Sequence, residues 1–250
     1  MQIEISDLLK LSRELGREDR LLAILGEGNT SMKLSPQHFA VKASGACLAK
    51  LTEAEVTLCD SEKVLALLDR KSLTDAAIED LLMDARVDGK ARKPSVEAVF
   101  HAWLLSLEGI GFVGHAHPLT ANQVLCSPRA RDFAERRMFP DEVVCCGPSS
   151  VFVPYTDPGL VLAREIRDRT TAFVRQHGFA PKVILMQNHG VITLGPSVDS
   201  VLASMLMVAK AAAIFLGAAS IGGPNFLTPP QVERISGRPD EAYRQQQIKV

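Results

Sequence analysis

Three histidines at the ends of apolar strand candidates constrain this chain more than any other feature. Two lie in Gly111-Phe112-Val113-Gly114-His115-Ala116-His117-Pro118. Phe112 and Val113 read as a short buried strand that Pro118 ends. Alternate residues of a strand share a face, so the Cβ atoms of His115 and His117 sit about 6–7 Å apart, twice the strand rise of about 3.3 Å. Imidazoles reaching inward from there can meet on one ion, because Zn–N bonds are about 2.0–2.1 Å. A hydrogen-bonded surface pair is the competing reading. A second strand candidate, residues 182–186, runs into Gln187-Asn188-His189-Gly190, and residues 191–194 resume a strand. His189 sits at the break, beside a glycine that permits an unusual turn. Alone it reads as a loop histidine bonded to backbone. If the two strands are near each other, it supplies a third nitrogen, and three histidines with a fourth position open form the catalytic pattern for zinc.

Composition narrows the function classes. A net charge of −1 gives no sign of nucleic-acid or anionic-membrane partners. The five cysteines form no CxxC pattern and are odd in number, which suits a reducing compartment. Met1-Gln2-Ile3-Glu4-Ile5 does not resemble a signal peptide, so a cytoplasmic location is expected. The most apolar stretch, residues 198–219, contains Asp199 and Lys210 and reads as a buried helix, not a membrane span. No linker or charge block divides the chain, so residues 1–250 read as one domain, with 222–250 a Pro-rich tail holding one short helix at 229–235.

Along the chain, residues 6–15 carry Leu8, Leu9, Leu11 and Leu15 at helical spacing, with Ser6 or Asp7 as cap and Gly16 as stop. Residues 30–42 read as a hairpin behind the turn Gly26-Glu27-Gly28-Asn29-Thr30-Ser31, which lacks the GxGxxG spacing of a dinucleotide site. Lys33 and Lys42 read as surface lysines of that hairpin. Thr52-x-x-Glu55 has the form of a capping box, yet strand-like Val56-Thr57-Leu58-Cys59 follows at once, and the pattern alone leaves both open. Helices are expected at 61–71 and 74–86.

Lys93-Pro94-Ser95-Val96-Glu97 opens a strong helix with Val96, Val99, Phe100, Trp103, Leu104 and Leu107 on one stripe. Pro94 favours a helix start, and Glu97 in the first turn suits the helix dipole. His101, one turn on, reads as a core histidine or a helix partner. Helices follow near 119–125, 129–137 and 158–176, with short strands at 142–146 and 151–153. Paired strands and helices in separate blocks imply an α/β fold with a largely antiparallel sheet flanked by helices, not a doubly wound parallel sheet.

Gly28-Asn29-Thr30-Ser31, Ser44-Gly45, Pro94-Ser95-Val96-Glu97, His115-x-His117 and Asn188-His189-Gly190 occur in the order of the class II aldolase/adducin family, which the chain resembles over roughly residues 8–215. The wording around Gly-Asn-Thr-Ser-Met-Lys and Val-Lys-Ala-Ser-Gly is most similar to the aldolase part of bifunctional rhamnulose-phosphate aldolase/dehydrogenase proteins. The resemblance implies a three-layer αβα sandwich with a central, mainly antiparallel sheet, and a fourfold homotetramer with sites at subunit interfaces. It implies zinc, or another divalent metal, on His115, His117 and His189, with Glu97 as the acid/base carboxylate. Asn29, Ser44, Gly45 and Ser95 would line a phosphate pocket. The implied reaction is cleavage of a (deoxy)ketose 1-phosphate to dihydroxyacetone phosphate and a small aldehyde through a metal-stabilised enediolate. A sugar-phosphate epimerase, a decarboxylase and a non-catalytic adducin-like binding domain are the alternatives.

Two departures bear on detail. Val96 stands where related aldolases often carry a second serine, which removes a hydroxyl donor to a phosphate. Pro154-Tyr155 matches a Pro-Tyr turn of the family, but the segment around Met138–Glu142 lacks the tyrosine that protonates the leaving aldehyde. Tyr243, Asp141 and water are left as proton donors.

Overall fold

The computed structural model describes residues 5–238. α1 (Ser6–Leu15) buries Leu8, Leu9, Leu11 and Leu15 and stops at Gly16. Its cap position is Ile5, without a side-chain cap bond, and not Ser6 or Asp7. β1 (Asn29–Lys33) and β2 (His38–Lys42) form the expected hairpin. The ambiguous 52–59 segment uses both of its signals. Glu55 Oε2 accepts from Thr52 N and Oγ1 at 3.1 and 3.0 Å around a single tight turn, and β3 (Val56–Asp60) starts immediately after.

Asp60 Oδ1 accepts from Lys63 N to start α2 (Ser61–Leu65), and Thr74 caps α3 (Asp75–Asp84) in the same way. The next helix departs from expectation. α4 spans Ala98–Ser106, with Glu97 at its cap position, and so begins four residues after Pro94. Pro94 instead bridges Ala43, and Ser44 N donates to Lys93 O at 2.9 Å. The residue before a proline is biased to extended backbone, so Lys93 stays out of the helix, Pro94 bridges Ala43 and the helix starts later.

β4 (Phe112–Ala116), α5 (Leu119–Leu125) and α6 (Ala130–Glu135) follow. The strand expected at 142–146 is part of a helix, α7 (Pro140–Cys146). Pro140 at the first position and Asp141 and Glu142 in the first turn are helix-start chemistry, and they override the β-leaning Val143-Val144 pair. The remainder is β5 (Val151–Val153), α8 (Leu160–His177), β6 (Val183–Met186), β7 (Gly190–Gly195), α9 (Val198–Ser220) and α10 (Pro229–Ser236).

The seven strands form one sheet in the order β3-β2-β1-β4-β7-β6-β5, antiparallel throughout except for the parallel β5–β6 pair. Strand residues alternate between two cores, as a period of two demands. Ile184, Met186 and Ile192 face α2, α3, α4 and α8 through Val64, Leu82, Phe100 and Ile166. Val183, Leu185 and Val191 face α1, α5, α6, α7 and α9 through Leu15, Val124, Phe133, Val144 and Val201. The architecture is therefore the expected mainly antiparallel sheet between two helical layers. By length and composition α9 could cross a membrane. Here Val201, Met205, Val208, Ala212 and Phe215 are buried in the second core, which makes it a core helix of this fold.

Candidate metal centre

Sheet register assembles the site. β4 pairs with β7, His115 opposite Ile192, and with β1, His115 opposite Asn29. Directly paired residues share a face, so Asn29 and His115 point into the same space. His117 has left the ladder, and its N–H donates to Leu22 O at 2.8 Å. His189 hangs from the β6–β7 turn. The left-handed residue there is Asn188, with φ 54°, and not the glycine. Asparagine tolerates that region better than most residues. Gly190 is needed for another reason: a Cβ there would lie 2.6 Å from His117 Cδ2 and 2.7 Å from Ala116 O. Asn122 Nδ2 anchors the turn by donating to His189 O at 3.0 Å.

The three rings converge. Their centroids are 4.8, 5.1 and 5.2 Å apart, and one nitrogen from each lies within 4.8 Å of the others. His115 Nδ1 is 3.0 Å from Val191 O, so it carries the proton and leaves Nε2 as a bare lone pair. His117 Nδ1 faces Glu27 Oε1 at 3.8 Å. The two Nε2 atoms are 3.1 Å apart. Burial, with a further contribution from His189, pushes His115 down to about 3, and burial with His115 nearby pushes His117 down to about 4. Both rings are therefore neutral at pH 7. Burial also lowers His189 from its ordinary value, against the pull of Glu97. With His117 also bare at Nε2, as a metal ligand must be, the two nitrogens present lone pairs to a common ion. A tetrahedral zinc with bonds of about 2.0–2.1 Å needs nitrogens roughly 3.3 Å apart. The donor set fits such an ion.

Glu97 lies alongside, with Oε1 3.5 Å from His189 Nε2 and Oε2 3.7 Å from His115 Nε2. Asn29 Nδ2 donates to Glu97 Oε2 at 2.5 Å. His115 is 1% exposed, His189 13% and His117 23%, so the cluster opens on the His117 and His189 side.

The Ala43–Pro94 bridge sets exposed Ser44 and Gly45 beside half-buried Ser95. Ser95 Oγ accepts from Glu97 N at 3.3 Å, so Ser95 sits in the turn ahead of α4 and not within the helix. Gly45 has φ 74°, and nothing lies within 4 Å of where a Cβ would project. Lys33 is the expected surface lysine, but Lys42 is buried, with Nζ donating to Ala46 O at 2.7 Å. Packing of β2 between β1 and β3 draws it inward. Burial lowers its pKa, and Glu97 opposes that shift.

His101 is the core histidine its position one turn into α4 implies. It is fully buried and bonded to Asn29 and Ser31, which its spacing of one turn from Glu97 could have signalled. Of the proton-donor candidates, Asp141 lies in the first turn of α7 and Tyr243 falls outside the described residues. Tyr155 is exposed, and its hydroxyl donates to Asp157 Oδ1 at 2.9 Å.

Residues 6–216 match the family model of the class II aldolase and adducin N-terminal domain. The chain belongs to this family. Class II aldolases are typically metal-dependent, and the three-histidine cluster of this chain accords with that. The chain is 28% identical over 204 residues to the Bacillus subtilis (strain 168) protein named uncharacterized oxidoreductase YuxG, covering 78% of this chain and 27% of that one. It thus spans about a quarter of that relative. The N-terminal class II aldolase domain of a conserved Thermoplasma acidophilum protein superposes with a TM-score of 0.68 at 24% identity, covering 86% of this chain and 95% of that one. An L-fuculose 1-phosphate aldolase superposes with a TM-score of 0.67 at 18% identity, covering 96% and 95%. YgbL from Escherichia coli, a candidate aldolase/epimerase/decarboxylase, gives 0.67 at 18% identity, covering 93% and 97%. These structural likenesses carry the fold.

Proposed function

We propose that this class II aldolase-family chain cleaves a (deoxy)ketose 1-phosphate to dihydroxyacetone phosphate and a small aldehyde. The observation that carries the reading is the convergence of one nitrogen each from His115, His117 and His189 within 4.8 Å of one another, with Glu97 beside them. His115, His117 and His189 would hold a divalent ion, zinc by their chemistry. Bound there, the ion supplies Lewis-acid stabilisation of the negative charge that carbon–carbon cleavage beside a carbonyl leaves behind. Three neutral imidazoles would leave its double positive charge undiminished.

The chain's own residues do the rest. Glu97, held beside the cluster, would move the proton as acid/base, a contribution of about 10²–10⁴-fold. Ser44, Gly45 and Ser95 would receive the phosphate on hydroxyls and free backbone N–H groups, as anion-binding turns do. Asn29 Nδ2 carries two hydrogens, one donated to Glu97, and the other is assigned to the phosphate. Lys42, buried behind the 43–46 turn, adds positive potential to that pocket. We keep the expectation of a cytoplasmic single-domain homotetramer.

A retro-aldol assay of the purified chain against ketose 1-phosphates and the corresponding free ketoses tests this. The expected result is dihydroxyacetone phosphate released from at least one phosphorylated ketose, and little turnover of the free sugar. Release of carbon dioxide from a β-keto acid phosphate instead, with no aldol cleavage, would favour the decarboxylase alternative.

A further inference from the structure

We propose that His101 is a positioning residue for Glu97, acting through the amide of Asn29. The inference rests on Glu97 being the acid/base group. Four side chains form one line, three of them buried and Glu97 13% exposed at its end. Ser31 Oγ is 2.7 Å from His101 Nδ1. His101 Nε2 meets Asn29 Oδ1 in a short hydrogen bond, and Asn29 Nδ2 donates to Glu97 Oε2. Ser31 and His101 are 0% exposed and Asn29 4%.

The direction of every bond in the line follows from its end. A carboxylate only accepts, so Asn29 must present its NH₂ to Glu97 and its oxygen to His101. An amide oxygen only accepts, so His101 must carry its proton on Nε2. With Nε2 protonated and the ring neutral, Nδ1 is a lone pair and accepts from the Ser31 hydroxyl. Burial without a carboxylate partner holds His101 well below its ordinary value, so the ring stays neutral. Were Asn29 flipped, its oxygen would face the Glu97 carboxylate and its NH₂ would face the His101 Nε2–H.

The anchors at the two ends are rigid. Ser31 and Asn29 are alternate residues of β1, and they share a face. β1 is paired on both sides, to β2 and β4. His101 and Glu97 stand one helical turn apart at the start of α4. Removing His101's donor frees the Asn29 amide to rotate, and Glu97 Oε2 loses its fixed partner. Oε1, facing His189, then loses its fixed aim. Partners of this outer kind typically cost 10–100-fold in activity when removed.

The test has two arms on the metal-loaded full chain. In the first, ¹⁵N solid-state NMR of histidine-labelled protein, with His101 assigned by its loss in His101→Gln, reads the tautomer. The expected state is Nε2 protonated and Nδ1 bare, and an Nδ1–H tautomer or a doubly protonated ring overturns the proposal. In the second, His101→Leu and His101→Gln are assayed on the ketose 1-phosphate that the wild type cleaves fastest. The leucine variant is expected to lose roughly 10–100-fold in kcat with metal content unchanged. Gln Nε2 can donate where the histidine did, so the glutamine variant is expected to recover most of that loss. A leucine variant with wild-type kcat, or a glutamine variant no better than a folded leucine variant, overturns the proposal. If the leucine variant does not fold, the tautomer decides. If the wild type cleaves no ketose phosphate, the functional reading fails, while the tautomer still reports whether the line of bonds exists.

Discussion

At the residue scale the reading turns on one carboxylate and three imidazoles doing different jobs. Glu97 touches two of the rings but contributes no atom to the cluster of converging nitrogens. Glu97→Gln should therefore keep the metal and lose about 10²–10⁴-fold in kcat, measured at saturating substrate alongside metal content. Near-normal turnover in a metal-loaded variant would remove Glu97 from the acid/base role. The convergence of the three histidines was legible because residue type and spacing carry their chemistry, whereas Glu97 read locally as a first-turn helix carboxylate and its acid/base role came only from the family resemblance. Lys42 was not: a lysine in a hairpin is ordinarily solvated, and only the packing of β2 between two strands shows that this one is buried. His101 was legible as a buried group, but its partner Asn29 lies 72 positions away.

At the scale of elements, the site depends on β4 and β7 lying side by side with no atom between Gly190 and His117. A methyl group at Gly190 would meet Ala116 O at 2.7 Å, and backbone cannot swing aside as a side chain does. Gly190→Ala should cost about 1–3 kcal/mol of stability, the usual range for overpacking, and should weaken metal binding as well. Chemical denaturation and metal titration of the variant check both, and unchanged values would show that the β4–β7 contact is looser than described. Element type was mostly readable from periodicity. The failures have local causes. Pro94 delays α4 by pairing with Ala43, and Pro140 with its acidic first turn makes a helix of an apolar run that resembles a strand.

At the scale of the whole molecule, local patterns gave hairpins and helical blocks but not the strand order. β1 pairs with β4, residues about 80 positions apart, and no local signal carries such a pairing. Burying neutral imidazoles also gives the fold a pH signature. His115 at about 3 and His117 at about 4 lie below the ordinary 6.5, so the unfolded chain binds protons that the folded one refuses. Their contribution is fully present above about pH 6.5 and is lost as pH falls toward 4 and then 3. Metal-free protein should lose stability across that window in denaturant titrations at stepped pH. Replacing His115 by an apolar residue should flatten the slope, and an unchanged slope would mean that the ring is already charged in the folded state. The most direct measurement of the account is elemental analysis of the purified chain beside folded His117→Ala, each checked by circular dichroism. The account predicts one divalent ion per wild-type chain and almost none in the variant; equal metal in both would contradict it.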